Sequence, residues 1–201
     1  MNIIAIETAT DICGVALVQD GKCLEKFEEK IPKKHAEQLP VFYETLMNFS
    51  NYNKLKVNAI AVSIGPGSFT GLRVGLGYAK GLAFAKSVPI IPVPTLYAIG
   101  AKSKVNGEYS VLLYSHRDIV YSQDFKKNRA FSEPRAIQWE KIDHSKQIFH
   151  YGCEKLIKQE NHQIIMPSAQ KVGELAAKNY EAWVVKDPYA LVPNYISPFE
   201  L

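Results

Sequence analysis

Cysteine is scarce and unpaired in this 201-residue chain: Cys13, Cys23 and Cys153 are an odd number with no C-x-x-C spacing. That excludes a disulfide framework and a zinc knuckle, and makes a reducing cytoplasm the expected location. No stretch approaches the roughly 20 apolar residues that span a bilayer, so no membrane contact is expected. The opening Met1-Asn2-Ile3-Ile4-Ala5-Ile6-Glu7 lacks the basic lead and cleavage site of a secretion signal, and reads as a strand. Charge bias is slight as well, 24 Lys and Arg against 20 Asp and Glu for a net +4. Without a dense basic stripe such an excess permits nucleic-acid contact but does not announce it. The pairs Lys33-Lys34 and Lys126-Lys127 read as solvated turns. A composition of 47% hydrophobic and 22% charged residues excludes a disordered tail or a fibre. The length suits one large domain or two small ones fused.

Catalytic patterns are equally thin. The five histidines, at 35, 116, 144, 150 and 162, include no i, i+4 pair for a zinc helix. Gly67-Ser68-Phe69 lacks the second half of a G-x-S-x-G elbow. Cys153 stands near His150 in sequence, which does not make an activated thiol. Glu7 and Asp11 are the acidic residues of the first loop, with no second carboxylate cluster at a comparable strand end. No catalytic set, metal or cofactor is expected.

What is present is a clear order of elements. Ile3 to Thr8, Cys13 to Val18 and Cys23 to Ile31 read as three strands, the last two joined by a tight turn at Asp20-Gly21. That turn sets Cys23 opposite Val18 and Cys13 near Glu28. From His35 to Asn48 the period becomes helical, with Leu39, Phe42, Tyr43, Leu46 and Met47 on one broad face. Pro40 inside it leaves two options, a start nearer Gln38 or a kink. Ala59 to Ile64 is a buried strand, Leu72 to Lys86 a helix, Pro89 to Val93 a strand, and Thr95 is placed to cap a helix through Ala101. The order implies a mixed sheet with helices packed on it. Beyond it, Tyr109 to Ser115 and Ile119 to Phe125 form a hairpin, Gln147 to Gly152 and Gln163 to Met166 are short strands, and Ser168 to Lys178 is a helix. Pro188, Pro193 and Pro198 mark an extended tail.

The densest information lies at residues 65–86. Gly65-Pro66-Gly67-Ser68-Phe69-Thr70-Gly71 leads from a strand to a helix N-terminus, where free N–H groups can hold an anion. Ser68, Thr70 and Arg73 would add donors and charge. Both the P-loop and the dinucleotide fingerprint fail here, so a purely structural turn stands beside the anion-binding reading. The following helix is apolar almost all round. Gly71, Gly75, Ala79 and Ala83 make one stripe of small residues, and Gly77, Gly81 and Ala85 make another nearly opposite. Such a helix is covered on more than one side. The sheet can cover one; a second subunit is the preferred cover for the other, the C-terminal lobe the alternative.

Three segments carry a family resemblance: Ile3-Ile4-Ala5-Ile6-Glu7-Thr8-Ala9-Thr10, His35-Ala36-Glu37-Gln38-Leu39-Pro40 and Gly65 to Arg73. Together they resemble the TsaB family, also called YeaZ, over about the first 100 residues. The resemblance implies an α/β actin-like, sugar-kinase-like (ASKHA) fold of two lobes with mixed sheets, residues 1–101 and a reduced 102–201. It implies a non-catalytic scaffold for the paralogue TsaD, which transfers threonylcarbamoyl to adenosine 37 of tRNA, with the ATPase TsaE joining them. Contact with tRNA would come through the complex. Pairing would use His35–Phe49 and Leu72–Lys86, with His35, Leu39, Phe42, Tyr43, Leu46, Gly75, Tyr78, Ala79 and Leu82 at the interface. A homodimer through the same helices is expected for the free protein. A phosphate or anion loop would comprise Glu7, Thr8, Gly65, Gly67, Ser68, Thr70, Gly71 and Arg73. The alternative is a small ATPase or phosphotransferase of the same superfamily using these loops. The second half departs from the family pattern at Ser115-His116-Arg117-Asp118 and at Pro193-Asn194-Tyr195-Ile196-Ser197, which bears on nucleotide or tRNA contact there and not on the pairing helices.

Overall fold

The first strand is apolar on both faces, so it must be covered twice. A computed structural model describes residues 1–103, 105–157 and 162–196, with the backbone alone at 50, 51 and 53. In it β1 (Asn2–Glu7) lies at the centre of a five-stranded sheet ordered β3-β2-β1-β4-β5, with β2 Ile12–Gln19, β3 Lys22–Lys30, β4 Ala59–Ser63 and β5 Ile90–Val93. The meander β1-β2-β3 is antiparallel, whereas β4 and β5 run parallel to β1. Asp20 and Gly21 take positive φ at the predicted turn, and Val18 stands opposite Cys23 as the spacing requires. Cys13 pairs with Glu29, one residue from the expected Glu28.

One face of this sheet, with Ile4, Ile6, Val15, Leu17, Ile60 and Val62, is covered by α1 (His35–Asn48) and α2 (Phe69–Lys86). Helix α1 starts at His35 and contains Pro40, whose ring is on the exposed side. Helix α2 starts three residues before the expected Leu72, because Ser68 caps it: its Oγ accepts the Gly71 N–H at 3.2 Å. After β5 comes α3 (Thr95–Gly100). Thr95 is its first residue and not its cap; its hydroxyl accepts the Gly65 N–H at 3.0 Å.

A second sheet follows, ordered β11-β10-β6-β7-β8, with β6 Glu108–His116, β7 Ile119–Lys126, β8 Arg129–Ala130, β10 Gln147–Tyr151 and β11 His162–Ile164. Strand β9 (Arg135–Gln138) also pairs with β7. Its inner face sets Tyr109, Val111, Leu113, Phe125 and Phe149 against Ile12, Leu96 and Ile99. Its outer face holds Leu112, Val120 and Ile148 under Trp139, Ile142 and Leu156. The chain then returns to the first sheet. Helix α4 (Ala169–Lys178) covers Ile3, Ala5, Ala16 and Val18, the back of β1 and β2, and α5 (Tyr180–Trp183) follows. The N-terminus of α4 is held by Glu28 of β3, whose Oε1 accepts from the Ser168 hydroxyl (2.7 Å) and the Gln170 N–H (3.2 Å). Residues 188–196 have no regular structure and cross α2; Pro198 lies outside the described residues. Among the described residues no helix is long and apolar enough to cross a membrane.

Candidate functional site

Two places on the molecule could do chemistry or recognition: a cleft between the sheets and the outer face of α2. The cleft, about 810 Å³, opens where the β1–β2 loop (Ala9, Thr10, Asp11) and the N-termini of α1 and α2 meet Leu113, Tyr114, Tyr121 and Tyr151 of the second sheet.

Of the expected anion loop, Gly67, Ser68, Thr70 and Gly71 line this cleft; Glu7, Thr8, Gly65 and Arg73 do not. Their side chains and backbone are committed elsewhere. Thr8 is buried and its hydroxyl donates to the Gly71 carbonyl at 2.9 Å, so it clamps the start of α2. Gly65 takes φ +113° beside the Asn194 carbonyl, a conformation and a clearance that favour glycine. Arg73 stacks over the Phe69 ring at 3.9 Å and donates from Nε to the Tyr195 hydroxyl at 3.0 Å. Glu7 is fully buried; one oxygen accepts the Ala9 N–H at 2.6 Å and Oε2 has no partner. Desolvation by burial pushes its carboxyl up to about 7 against the lowering pull of Ala9 and Ser63. Four residues of the expected loop are therefore engaged away from the cleft, Glu7 and Thr8 because β1 ends in the core beneath α2, Gly65 and Arg73 because the tail at Asn194 and Tyr195 meets them.

What remains at the cleft is poor in catalytic groups. Asp11 is occupied by the Tyr151 hydroxyl (2.5 Å) and by Lys30 (3.3 Å), which ties the first loop to the second sheet. His35 is buried with Nε2 3.2 Å from the Ile12 carbonyl. Cys153 is buried on the second sheet, with its thiol pushed up to about 12 by desolvation, far from thiolate chemistry. Among the described residues no group of three or more His, Cys, Asp or Glu is placed to hold a metal ion.

The second place is α2 itself. Gly71, Gly75, Ala79 and Ala83 are buried against the protein's own sheet and loop. A Cβ on Gly75 would overlap Thr8 Oγ1, and one on Gly71 would overlap the Thr8 carbonyl oxygen. Gly75 and Ala79 thus leave the expected interface, and so do Leu39 and Leu46, which are fully buried in the core between α1 and the sheet. His35 leaves it too, being buried at the cleft end of α1. Phe42, Tyr43, Tyr78 and Leu82 are half-buried along the α1–α2 seam, where Tyr43 and Tyr78 meet edge to face at 5.9 Å. The open side of α2 is the other stripe. Added Cβ atoms at Gly77 and Gly81 would meet nothing within 4 Å, and Phe84 beside them is 74% exposed.

The tail bounds this open side. Lys80 Nζ donates to the Tyr189 carbonyl at 3.1 Å, the Asn194 N–H donates to the Ile64 carbonyl at 2.7 Å, and Tyr195 packs on Phe69 with ring centres 5.2 Å apart. Among the described residues the second cover of α2 is partly this tail, part of the second half as the intramolecular alternative had it, and leaves Gly77 and Gly81 open. Sequence reasoning missed the tail's role because its partners lie 109 and 122 residues away, with no local signal in Pro-Tyr-Ala or Asn-Tyr-Ile.

Comparison with known proteins adds the rest. The family model described as "TsaD: tRNA N6-adenosine threonylcarbamoyltransferase" matches residues 28–185. The tRNA threonylcarbamoyladenosine biosynthesis protein TsaB of Escherichia coli K12 is 41% identical over 114 residues, 56% of this chain and 48% of that protein. The TsaB of Haemophilus influenzae is 33% identical over 132 residues, 65% and 52% respectively. A tRNA N6-adenosine threonylcarbamoyltransferase of Clostridium botulinum is 31% identical over 158 residues, 67% of this chain and 46% of that one. The chain thus spans about half the length of these curated relatives. Among solved structures, YeaZ from Pseudomonas aeruginosa superposes with a TM-score of 0.80 at 24% identity, over 96% of this chain and 99% of that one. The inorganic polyphosphate/ATP-glucomannokinase of Arthrobacter sp. strain KM superposes with a TM-score of 0.50 at 11% identity, over 90% and 98%. Both likenesses are of fold, and the fold is the expected α/β one of two mixed sheets shared with sugar kinases.

Proposed function

Because the chain belongs to the family of TsaB/YeaZ proteins and their threonylcarbamoyltransferase relatives, we propose that it is a non-catalytic partner of a TsaD-type transferase in making threonylcarbamoyladenosine at position 37 of tRNA. The observation that carries this reading is the open face of α2. Gly77 and Gly81 leave a shallow channel with exposed Phe84 beside it, and Phe42, Tyr43, Tyr78 and Leu82 continue the apolar surface towards α1. Glycines in a helix interior cost about 1 kcal/mol each relative to alanine. Two of them facing outward on an otherwise apolar helix suit close approach of another backbone. A related lobe, with the same pair of helices, has the matching shape.

The cleft supports the same division of labour. Its carboxylate is tied up by Tyr151 and Lys30, and its Ser68 is spent as a helix cap. Transfer chemistry would then belong to the partner, with the ATPase TsaE joining the pair and tRNA bound by the assembly in the cytoplasm. Residues 1–101 and 102–201 would act as the two lobes, with α4 of the second half fastened to the first sheet. Alone, the protein would pair with itself through the face that the transferase takes.

Light scattering behind size-exclusion chromatography tests this directly, with the protein alone and with the transferase of the same cell. A homodimer that gives way to a mixed complex is the expected result. No complex would remove the scaffold reading, and a homodimer intact inside the complex would move the shared surface elsewhere. Pure protein should not turn over ATP; turnover abolished by Thr70→Ala would make it an enzyme.

A further inference from the structure

The outer face of the second sheet carries a cluster that neither the cleft nor the docking face uses. His150 on β10 is 2% exposed, and its ring centre lies 6.0 Å from that of His162 on β11. His162 lies 6.0 Å from His144 and stacks on Trp139 at 5.6 Å, while Trp139 also meets His144 at 4.9 Å. Four ring nitrogens here are buried without a hydrogen-bond partner: Nδ1 of each histidine, and Nε2 of His162. The Nε2 of His144 lies 3.2 Å from the Trp139 carbonyl. Buried polar atoms are nearly always paired, so four orphans in one cluster are exceptional. The three rings are not placed to close on one metal ion. A neutral imidazole tolerates such a site as an aromatic disc; an imidazolium does not.

We propose that His144, His150 and His162 form a proton-operated latch, which holds the 139–144 turn against the second sheet and β11 against β10 when neutral and releases them when protonated. The balance of charge around the cluster favours release. Burial depresses the basicity of His150 and His162, His162 lowers His150 further and His144 lowers His162, while Glu154 after β10 pulls the other way on His150. On the same face β7 contributes Asp124, but it accepts from the Ser110 hydroxyl (2.6 Å) and faces Arg135 (3.7 Å) and Lys146 (3.8 Å). Tyr114 of β6 lies at the exposed end, Cys153 is uncharged, and Lys155 next to Glu154 is exposed. Among the described residues Asp143 stands beside His144 and Glu154 acts on His150, while no carboxylate answers an imidazolium at His162. The sign follows: a depressed basicity in the folded state gives stability that is present above the ordinary value of about 6.5 and lost as the pH falls below it. Release would bare Leu112, Val120 and Ile148.

The test uses the full chain carrying Trp183→Phe, so that Trp139 is the sole indole. Trp139 emission between pH 8 and 5 reads proton uptake beside it, and amide exchange at Gln163 and Ile165, whose N–H groups face β10, corrected for its intrinsic pH dependence, reads release. The expected result is quenching with a midpoint below about 6.5 and exchange at least about tenfold faster at pH 5.5 than at 7.5, while β1 stays protected. In His150→Phe the acceleration should fall below about twofold, with His162→Gln as the substitute should that variant not fold. Unchanged exchange on β11 across this range, or equal acceleration in parent and variant, overturns the latch.

Discussion

The two small-residue stripes of α2 are alike in composition and opposite in fate. Gly71, Gly75, Ala79 and Ala83 press against Thr8 and the first sheet, while among the described residues nothing lies within 4 Å of a Cβ added at Gly77 or Gly81. The first stripe lies on the face that also buries Leu72 and Leu76, and Thr8 donates to the Gly71 carbonyl at its start. Small residues thus serve two different close approaches on one helix, one within the chain and one that the proposed partner would complete.

The inner stripe should be the intolerant one. Gly75→Ala places its new methyl within the shell of Thr8 Oγ1, and Gly75→Leu adds three further carbons. Overpacking of this kind typically costs 1–3 kcal/mol and occasionally more. We expect about 3 kcal/mol or more for the leucine, read as a fall in denaturant midpoint. A variant of parental stability that fails to pair would invert the assignment of the stripes.

The strand end beneath that stripe gives the next effect. With the Glu7 carboxyl at about 7 in the fold against 4.5 for an ordinary glutamate, the folded state holds the proton more tightly than the unfolded chain. Stability contributed by this group is therefore complete below pH 4.5 and is lost as the pH rises through 7. Glu7→Gln should remove that slope, gaining up to about 3 kcal/mol over the parent at pH 8 and little at pH 4.5. Urea unfolding at three pH values measures it; parallel curves for parent and variant would mean that Glu7 is ionised throughout.

On the outer stripe the same chemistry should be harmless to the fold. Gly77→Leu and Gly81→Leu should each raise stability by up to about 1 kcal/mol, since leucine is the better helix former and has room. Pairing should be lost in both, as judged by light scattering. Smallest on stability is Phe84→Ser, at the exposed edge of this face, where we expect less than about 0.5 kcal/mol. Its pairing should nonetheless weaken about tenfold, a loss of about 1.4 kcal/mol. Pairing unaffected by all three changes would put the partner on another surface.

Local periodicity was enough for the strands of the first sheet, the Asp20-Gly21 turn with its Val18–Cys23 register, both long helices and the β6–β7 hairpin. It was also enough to see that α2 is apolar on two sides. It could not tell which side was inward, because both stripes are small and Thr8, which the inner stripe packs against, is 63 residues from Gly71. Distance hid other features in the same way. Glu28 holds the start of α4 from 140 residues away, and Tyr195 takes Arg73 out of the anion loop from 122. Glu7 and Thr8 were placed in an anion loop because they end a strand beside a polar loop; here α2 lies over that strand end. The histidine cluster was visible only as five scattered residues, since β10 and β11 bring two of them together by parallel pairing, which leaves no turn signal in the sequence.

The return of α4 to the first sheet has a consequence for how the chain is made. The back of β1 and β2 consists of Ile3, Ala5, Ala16 and Val18, and its lid is Ala169, Val172, Leu175 and Ala176. Some 150 residues must therefore leave the ribosome between wall and lid, which takes roughly 8–30 s at 5–20 residues per second. During that interval the front of the sheet can close on α1 and α2 while its back stays bare. The nascent chain is for those seconds a one-sided sheet, dependent on whatever holds it until the last helix arrives.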